Sequence, residues 1–295
     1  KAFEDNPRFN LVDGDLTDSS SINRLILNIE PDYFINFGAN SYVGVSWDVP
    51  LSVFDINASG VIRCLEAIKK LKPDCRFYSA GSSDVDYSPQ DLKHPVKPRS
   101  PYGASKAAAR HIVKVYRESY NIYAVHSILF NHEGLRRGEE FVTRKITKKV
   151  AEIKHKIDAG EPFETLKLGN IDSKRDWSDS RDFMRGVWLM LNQDEPKDYL
   201  LASGEVHSVR QFVSSAFQNA GIPGLWSGEG LEAKFRIFEK NTPLAEVDEK
   251  WFRPAEVSLL HGDPSLAEKE LGWKREISFD KMVKDMVKLD LALYA

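Results

Sequence analysis

The chain has 295 residues, long enough for one large α/β domain or a main domain with a smaller lobe. Charged residues make up 29% and hydrophobic residues 42%, and the formal net charge of -3 argues against a nucleic-acid-binding surface. Cys64 and Cys75 are the only cysteines, and their spacing fits neither a metal site nor a redox motif. With no apolar run of about eighteen residues and no signal peptide, we predict a cytoplasmic protein that binds neither a membrane nor a metal.

Short apolar strands alternate with amphipathic helices through the first half of the chain. Strands are predicted at 9–12, 33–38, 75–79 and 123–130, and helices at 20–29, 50–71 and 101–120. This alternation favours βαβ crossovers and therefore a doubly wound parallel sheet of the Rossmann type. Such a sheet normally begins with a glycine-rich turn, but no G-x-G-x-x-G segment is present. We therefore expect that the first βαβ unit is missing from this sequence.

The alternation of strands and helices becomes irregular after about residue 130. Helices are predicted at 146–157, 180–192, 208–220 and 279–294, and strands at 165–168, 199–202 and 235–239. These elements predict a smaller C-terminal α/β lobe beside the parallel sheet.

The segment 79–106 carries the strongest catalytic signal. An apolar strand leads into the small hydroxyl and acidic residues S-A-G-S-S-D, and R-S-P-Y-G-A-S-K then begins a helix with Pro101 in its first turn. Tyr102 and Lys106 are four residues apart, so they share one face of that helix. A nearby cation favours a phenolate, and a phenol pKa of about 10 must fall by about three units to give a base at neutral pH. Tyr102 is thus a candidate base, the alternative being an exposed surface pair.

Four further motifs accompany Y-G-A-S-K, in the order L-F-N-H-E-G-L-R-R-G-E-E-F-V-T-R-K-I, L-G-N-I-D-S-K-R-D-W, A-S-G-E-V-H-S-V-R-Q-F and F-R-P-A-E-V. The set closely resembles the GDP-mannose 4,6-dehydratases of the extended short-chain dehydrogenase/reductase superfamily. The Y-x-x-x-K motif marks only the superfamily, whereas N-H-E-x-x-R-R-G, K-R-D-W and R-P-x-E-V are much more specific. The resemblance covers essentially the whole chain.

The resemblance implies an NADP-dependent enzyme that removes water from GDP-mannose to give GDP-4-keto-6-deoxymannose. Tyr102 would take the proton of the sugar 4-hydroxyl, and Lys106 would hold the cofactor ribose and lower the Tyr102 pKa. Ser82, where the family usually has Thr, would bond to the same hydroxyl. Asp84, where the family usually has Glu, would remove the proton on carbon 5 while the 6-hydroxyl departs. The family also has a cofactor-touching Tyr where this chain has Ser52.

The resemblance also assigns binding positions, domains and an assembly. Cofactor contacts are expected from Asp15, Leu16, Phe37, Gly38, Ala39, Ser41, Lys106, His132 and Arg137. Contacts to the GDP-sugar are expected from Asn131, Lys145, Arg175, Arg253 and Glu256. Residues 1–131, with returning segments near 165–202, would form the NADP-binding Rossmann domain, and 132–164 and 203–295 mainly the nucleotide-sugar-binding lobe. Helices 50–71 and 101–120, through which the superfamily usually dimerises, imply a homodimer or homotetramer.

Three alternatives remain open at this point. The same Tyr-Lys pair could serve a nucleotide-sugar 4-keto reductase or epimerase, which would not need the carboxylate of Asp84. A paralogue could bind the nucleotide sugar without turnover. For Arg175 and Arg253 the alternative is a surface ion pair, and for His132 it is a structural histidine.

Overall fold

The computed structural model describes residues 5–85, 90–93, 95–237, 242–251 and 258–294. Its helices are α1 (Ser19–Ile29), α2 (Pro50–Phe54), α3 (Gly60–Leu71), α4 (Pro101–Tyr120), α5 (Val142–Ala159), α6 (Ser180–Leu191), α7 (Val209–Asn219), α8 (Ser265–Leu271) and α9 (Phe279–Leu291). Its strands are β1 (Tyr33–Asn36), β2 (Arg76–Ala80), β3 (Ala124–Leu129), β4 (Asn131–Glu133), β5 (Leu166–Leu168), β6 (Lys174–Arg175), β7 (Trp177–Asp179), β8 (Tyr199–Leu201), β9 (His207–Ser208), β10 (Leu225–Ser227), β11 (Lys234–Arg236), β12 (Pro243–Val247) and β13 (Leu259–Leu260).

The chain divides into two compact units, each formed from separate stretches of sequence. The first unit consists of Lys1–Ala80, Ser100–His126 and Asp194–Lys197. The second unit consists of Gly81–Arg99, Ser127–Gln193 and Asp198–Ala295. The predicted assignment of these regions to cofactor and nucleotide sugar remains a prediction. None of the described helices is long and apolar enough to cross a bilayer.

A parallel sheet with the strand order β1-β2-β3-β8 carries the predicted βαβ pattern. In the first unit β1 pairs with β2, with Tyr33 opposite Arg76. In the second unit the end of β3 pairs with β8, with Ser127 opposite Tyr199. Consecutive parallel strands require crossovers, and α2 and α3 form the one between β1 and β2. The prediction of a parallel α/β sheet is confirmed.

The strand predicted at 9–12 is wrong, because this segment has no regular secondary structure. The side chain of Leu11 is 88% exposed, so the apolar pattern of the segment does not reflect burial here. Among the described residues β1 is the edge of the parallel sheet, and no strand pairs with segment 9–12. An extended segment without a pairing neighbour leaves its main-chain hydrogen bonds unmade, so its sequence alone does not stabilise a strand.

The core of the first unit forms where α1, α3 and α4 contribute apolar side chains alongside β2. Ile22, Leu65, Phe77 and Val113 are fully or almost fully buried in one cluster, which also contains both cysteines. Burial raises the pKa of Cys64 to about 12 and that of Cys75 to about 11, so both are protonated thiols at neutral pH.

The core of the second unit is built around Trp177. Its ring lies 5.3 Å from the ring of Phe212 in α7 and 6.1 Å from that of Phe279 at the start of α9. The same cluster includes Ile146 of α5 and Phe235 of β11. A mixed sheet in the order β10-β11-β12-β5 and a three-stranded sheet in the order β13-β6-β9 complete this unit.

Candidate functional site

The first turn of α4 presents Tyr102 and Lys106, and the helix has the predicted bounds. Ser100 caps it, because the Ser100 side-chain oxygen accepts a hydrogen bond of 3.0 Å from the main-chain N–H of Gly103. Pro101 occupies the first helical position, where no intrahelical N–H is needed. These two local signals fix where the helix begins and therefore where the pair lies.

Tyr102 and Lys106 are buried rather than an exposed surface pair. The two residues are 7% and 5% exposed, and Lys106 Nζ lies 6.0 Å from the centre of the Tyr102 ring. Lys106 Nζ donates a hydrogen bond of 2.9 Å to the carbonyl oxygen of Ala80, the last residue of β2. Burial lowers the pKa of Lys106 to about 8. This pKa still lies above neutral pH, so the cation needed beside the phenol is available.

Asn57 ties the loop after β1 to α4. It lies on a π-helical segment, Asp55–Ser59, that interrupts the helix predicted at 50–71, and it is 2% exposed. Its side-chain oxygen accepts from the N–H of Asn40 at 2.9 Å, and its amide nitrogen donates to the carbonyl of Asn40 at 3.1 Å. The same nitrogen donates to Ser105 Oγ at 3.0 Å. The main chain beside Ala39 and Ser41 is therefore held at a fixed position against the helix that carries Tyr102.

Asn57→Ala should lower the free energy of unfolding by about 1–3 kcal/mol, because both main-chain groups of Asn40 lose a buried partner. Urea denaturation followed by circular dichroism measures this change. Asn219→Ala is the matched control, since the Asn219 amide donates only to the Ser215 carbonyl and hydroxyl on its own helix. Equal stability of Asn57→Ala and the parent protein would show that the Asn57 hydrogen bonds do not hold the loop against α4.

The remaining cofactor candidates of the first unit lie around Gly38. A Cβ atom on Gly38 would lie only 2.6 Å from Leu16 Cδ1, so this position keeps the main chain free of a side chain. The ring of Phe37 packs 5.3 Å from that of Tyr78 and remains 41% exposed. Hydrogen bonds from Thr17 lower the pKa of Asp15 and keep it ionised. Since Asp15 precedes Leu16 and Phe37 precedes Gly38, the close contact of Gly38 with Leu16 brings four predicted cofactor residues together, a set that suits a dinucleotide.

Ser82 and Asp84 begin the second unit directly after β2. Ser82 is 7% exposed, and its Oγ accepts a hydrogen bond of 3.1 Å from the N–H of Asp84. Ser83, Asp84 and Val85 form a single 3-10 turn. The predicted hydroxyl and carboxylate therefore share one compact turn at the carboxyl end of a parallel strand, where ligands of open α/β sheets usually bind.

Asn131 and His132 lie on β4, which pairs in parallel with β7. Asn131 Oδ1 is buried and accepts no hydrogen bond from the described residues, so it can accept one from a ligand. His132 Nδ1 lies 2.9 Å from the carbonyl oxygen of Phe130 and must carry the proton of that hydrogen bond. This contact fixes the orientation of the ring, as expected of a structural histidine, and leaves its cofactor role a prediction.

The loop after β4 fixes Arg137. Its Nε lies 3.0 Å from a carboxylate oxygen of Glu133, which is 2% exposed and also accepts from Thr143 Oγ1 at 2.6 Å. The Arg137 guanidinium carbon lies 3.4 Å from the centre of the Phe141 ring. Held on two sides, the guanidinium has a defined direction, which suits recognition of an anion.

The predicted substrate cations are Lys145 and Arg175. Lys145 Nζ lies 3.4 Å from the centre of the Trp251 ring, and partial burial lowers the pKa of this lysine. Arg175 is half-buried on β6 and donates to the carbonyl oxygen of Lys174 at 2.9 Å. Arg253 and Glu256, the other two predicted contacts, lie outside the described residues.

The sequence analysis missed Asn57, Gln90, Glu133 and Asp176. The side chains of Asn57, Gln90 and Asp176 form hydrogen bonds with main-chain groups, and Glu133 forms an ion pair with Arg137. Asn57 could have been found, because it is a polar residue four positions from both Val53 and Val61 on the apolar face of its helix. The others depend on contacts between distant segments, for which no local pattern exists.

Comparisons with known proteins place the chain among sugar-nucleotide enzymes. A model of the family described as GDP-mannose 4,6 dehydratase matches residues 1–286. GDP-mannose 4,6 dehydratase of Homo sapiens is 43% identical over 286 residues, covering 95% of this chain and 76% of the relative. GDP-mannose 4,6-dehydratase of Vibrio cholerae serotype O1 is 42% identical over 304 residues, covering 98% of this chain and 80% of the relative.

Solved structures with low sequence identity share the fold. RMD from Pseudomonas aeruginosa complexed with NADPH has a TM-score of 0.80 at 22% identity, covering 96% of this chain and 88% of that chain. dTDP-glucose 4,6-dehydratase from Bacillus anthracis in complex with NAD has a TM-score of 0.78 at 17% identity, covering 98% of this chain and 82% of that chain. These similarities confirm the predicted Rossmann-type α/β fold class.

Proposed function

Because the chain belongs to the GDP-mannose 4,6-dehydratase family, as its motifs predicted, we propose that it converts GDP-mannose to GDP-4-keto-6-deoxymannose and water. The observation that carries this proposal is the buried Tyr102–Lys106 pair at the end of β2. The turn that holds Ser82 and Asp84 follows β2 directly in the sequence. A base with its activating cation and a separate carboxylate are the groups that oxidation followed by elimination requires.

The residues act in sequence on two protons of the sugar, that of the 4-hydroxyl and that on carbon 5. Tyr102, made acidic by the Lys106 cation, takes the proton of the 4-hydroxyl, and Ser82 bonds to the same hydroxyl oxygen. A ketone at carbon 4 would acidify the proton on carbon 5, which Asp84 removes and passes to the departing 6-hydroxyl, so that both leave as water. Tyr102 would return its proton to the sugar once carbon 6 has received the hydride. Asn131, Lys145 and Arg175 bind the GDP-sugar, with the two cations facing its diphosphate.

We propose that the nicotinamide cofactor is NADP, as the family resemblance implies. When bound, it would supply a reversible hydride acceptor for the oxidation at carbon 4 and the reduction at carbon 6, with no net change in its own oxidation state. The residues that would hold it are Asp15, Leu16, Phe37, Gly38, Ala39, Ser41, Lys106, His132 and Arg137. Two relatives by fold, RMD of Pseudomonas aeruginosa and the Bacillus anthracis enzyme, bind NADPH and NAD respectively.

Mass spectrometry of the protein incubated with GDP-mannose and catalytic amounts of NADP tests the proposal. We expect a product that has lost one water, formed faster with NADP than with NAD. An epimerase would leave the mass unchanged, and so would a 4-keto reductase, because GDP-mannose carries no ketone for it to reduce. No change in mass would contradict the dehydratase proposal.

We also propose that the protein is a homodimer or homotetramer. The helices predicted to dimerise expose Leu51 at 86%, Phe54 at 46%, Ile62 at 38% and Val115 at 53%. Exposed apolar side chains on adjacent helices of a compact unit suit burial against a second copy. Light scattering coupled to size-exclusion chromatography should give at least twice the chain mass, and a monomer at micromolar concentration would contradict this proposal.

A further inference from the structure

Gln90 is a buried polar residue in the stretch of sequence between the Ser82–Asp84 turn and α4. It is 2% exposed, and its amide nitrogen Nε2 donates a hydrogen bond of 2.7 Å to the carbonyl oxygen of Ser83. Burying an amide costs free energy unless it is hydrogen-bonded, so this hydrogen bond stabilises both the buried position of Gln90 and the turn that contains Ser83. Ser83 is the residue between Ser82 and Asp84, whose side chains are assigned to the reaction.

The main chain of Gln90 is fixed from the opposite side by the segment that follows β13. The N–H of Gln90 donates to the carbonyl of His261 at 2.9 Å, and the N–H of Asp263 donates to the carbonyl of Gln90 at 2.9 Å. The residue between them, Gly262, has no room for a side chain, since a Cβ would lie 2.5 Å from Ala202 Cβ and 2.7 Å from Phe130 Cε2. Gln90 therefore rests on a segment that is itself tightly packed.

The same segment leads to Arg175. The N–H of Asp176 donates to the carbonyl of Leu260 at 3.0 Å, and its buried carboxylate accepts from the N–H groups of Ser203 and Gly204 at 2.7 and 2.9 Å. Asp176 follows Arg175, and β6 pairs in parallel with β13, so that Arg175 lies opposite Leu260. One continuous set of hydrogen bonds thus connects the Ser83 carbonyl with the strand that presents Arg175.

We propose that Gln90 is a positioning residue that fixes the Ser82–Asp84 turn relative to the strand that carries Arg175. The inference rests on the proposed function, in which Asp84 removes a proton from a sugar that Arg175 binds. Aspartate is one methylene shorter than the glutamate usual in the family, so its carboxylate depends more on where the main chain lies. A displacement of about 1 Å at a reacting group can cost about a hundredfold in rate.

Gln90→Met tests the proposal, because methionine has a similar length and shape but no N–H donor. The elimination step should slow by about tenfold to a hundredfold, while the reduced cofactor formed by oxidation of the sugar accumulates and GDP binding measured by calorimetry stays unchanged. Gln193→Met is the matched control, since the Gln193 amide also donates to a main-chain carbonyl, that of Leu189 at 2.9 Å. Elimination by Gln90→Met at the parent rate, or equal slowing of oxidation and elimination, would overturn the proposal.

Gln90→Glu provides a second, internally controlled test. An ionised glutamate places a carboxylate oxygen against the Ser83 carbonyl oxygen, whereas a protonated glutamate can donate to it. The rate of this variant relative to the parent should therefore rise by about tenfold as the pH falls from about 8 to about 6, because burial raises a carboxyl pKa. A pH-independent ratio would count against the proposal.

Hydrogen exchange separates the role of Gln90 from the proposed function itself. In the parent protein the amides of Ser83 and Asp84 should exchange at least about tenfold more slowly than in Gln90→Met, with or without turnover. Equal exchange would overturn the positioning role, whatever the activity. An inactive parent with the expected difference in exchange would overturn the proposed function and leave Gln90 as the residue that holds this turn.

Discussion

Tyr102→Phe should lower the rate of conversion of GDP-mannose by about a thousandfold or more. The substitution removes only the phenolic oxygen, so the buried ring and the Lys106 hydrogen bond to the Ala80 carbonyl remain. Loss of a positioned general base typically costs about a hundredfold to ten-thousandfold in rate. Because proton removal from the 4-hydroxyl is the first step, no reduced cofactor should form when the variant is mixed with GDP-mannose. The absorbance of the reduced cofactor and the mass of the product measure both effects.

Tyr116→Phe is the matched control for Tyr102→Phe. Tyr116 lies on the same helix, and its hydroxyl donates a hydrogen bond of 2.8 Å to Glu66 at the surface. This variant should keep the parent rate with a small loss of stability. If Tyr102→Phe and Tyr116→Phe were equally active, Tyr102 would not be the base. Unchanged GDP affinity in Tyr102→Phe would show that its loss of rate is not a loss of substrate binding.

Asp84→Asn should abolish elimination while oxidation of the sugar continues. The amide keeps the size of the side chain but cannot accept the proton on carbon 5, so water loss should fall by about a hundredfold to ten-thousandfold. Oxidation at carbon 4 depends on Tyr102 and Lys106 and should persist, so the reduced cofactor should accumulate in a single burst. Stopped-flow absorbance and mass spectrometry of the quenched mixture measure the two steps separately.

The same experiment distinguishes a dehydratase from a reductase or an epimerase. Neither of those needs a carboxylate at position 84, so Asp84→Asn would leave their turnover nearly unchanged. Asp91→Asn is the matched control, because the Asp91 carboxylate lies in the same segment and accepts a local hydrogen bond of 2.6 Å from the N–H of Lys93. Parent-like elimination by Asp84→Asn would rule out Asp84 as the acceptor of the carbon 5 proton.

The sequence predicted the regular elements well where local signals determine them. The helix at 101–120 has the predicted bounds, because the Ser100 cap and Pro101 act within one turn of the helix start. The strand predicted at 9–12 failed because a strand also needs a pairing neighbour, which an apolar pattern does not supply. The prediction of a single helix at 50–71 was wrong at Asp55–Ser59, which is π-helical. In this segment the Asn57 side chain forms hydrogen bonds to Asn40 and Ser105.

The residues of the candidate site could likewise be predicted only where a local sequence pattern marks them. Tyr102 and Lys106 were identified from a spacing of four residues on a helix, and the structure places both in the interior. Gln90 and Asp176 could not be identified, because each acts on main-chain groups that lie far away in the sequence. Which side chain meets a distant main-chain group depends on how segments far apart in the sequence pack together, and no local periodicity encodes that packing.

Both thiols of the chain lie in the first unit, and both are fully buried and protonated. The thiolate of an exposed cysteine attacks thiol-reactive labels, so Cys64 and Cys75 can be modified only after the core of that unit opens. The second unit contains no cysteine and is invisible to such labels. Labelling kinetics therefore report the opening of the unit that carries Tyr102 and Lys106 separately from the rest of the chain, without any engineered probe.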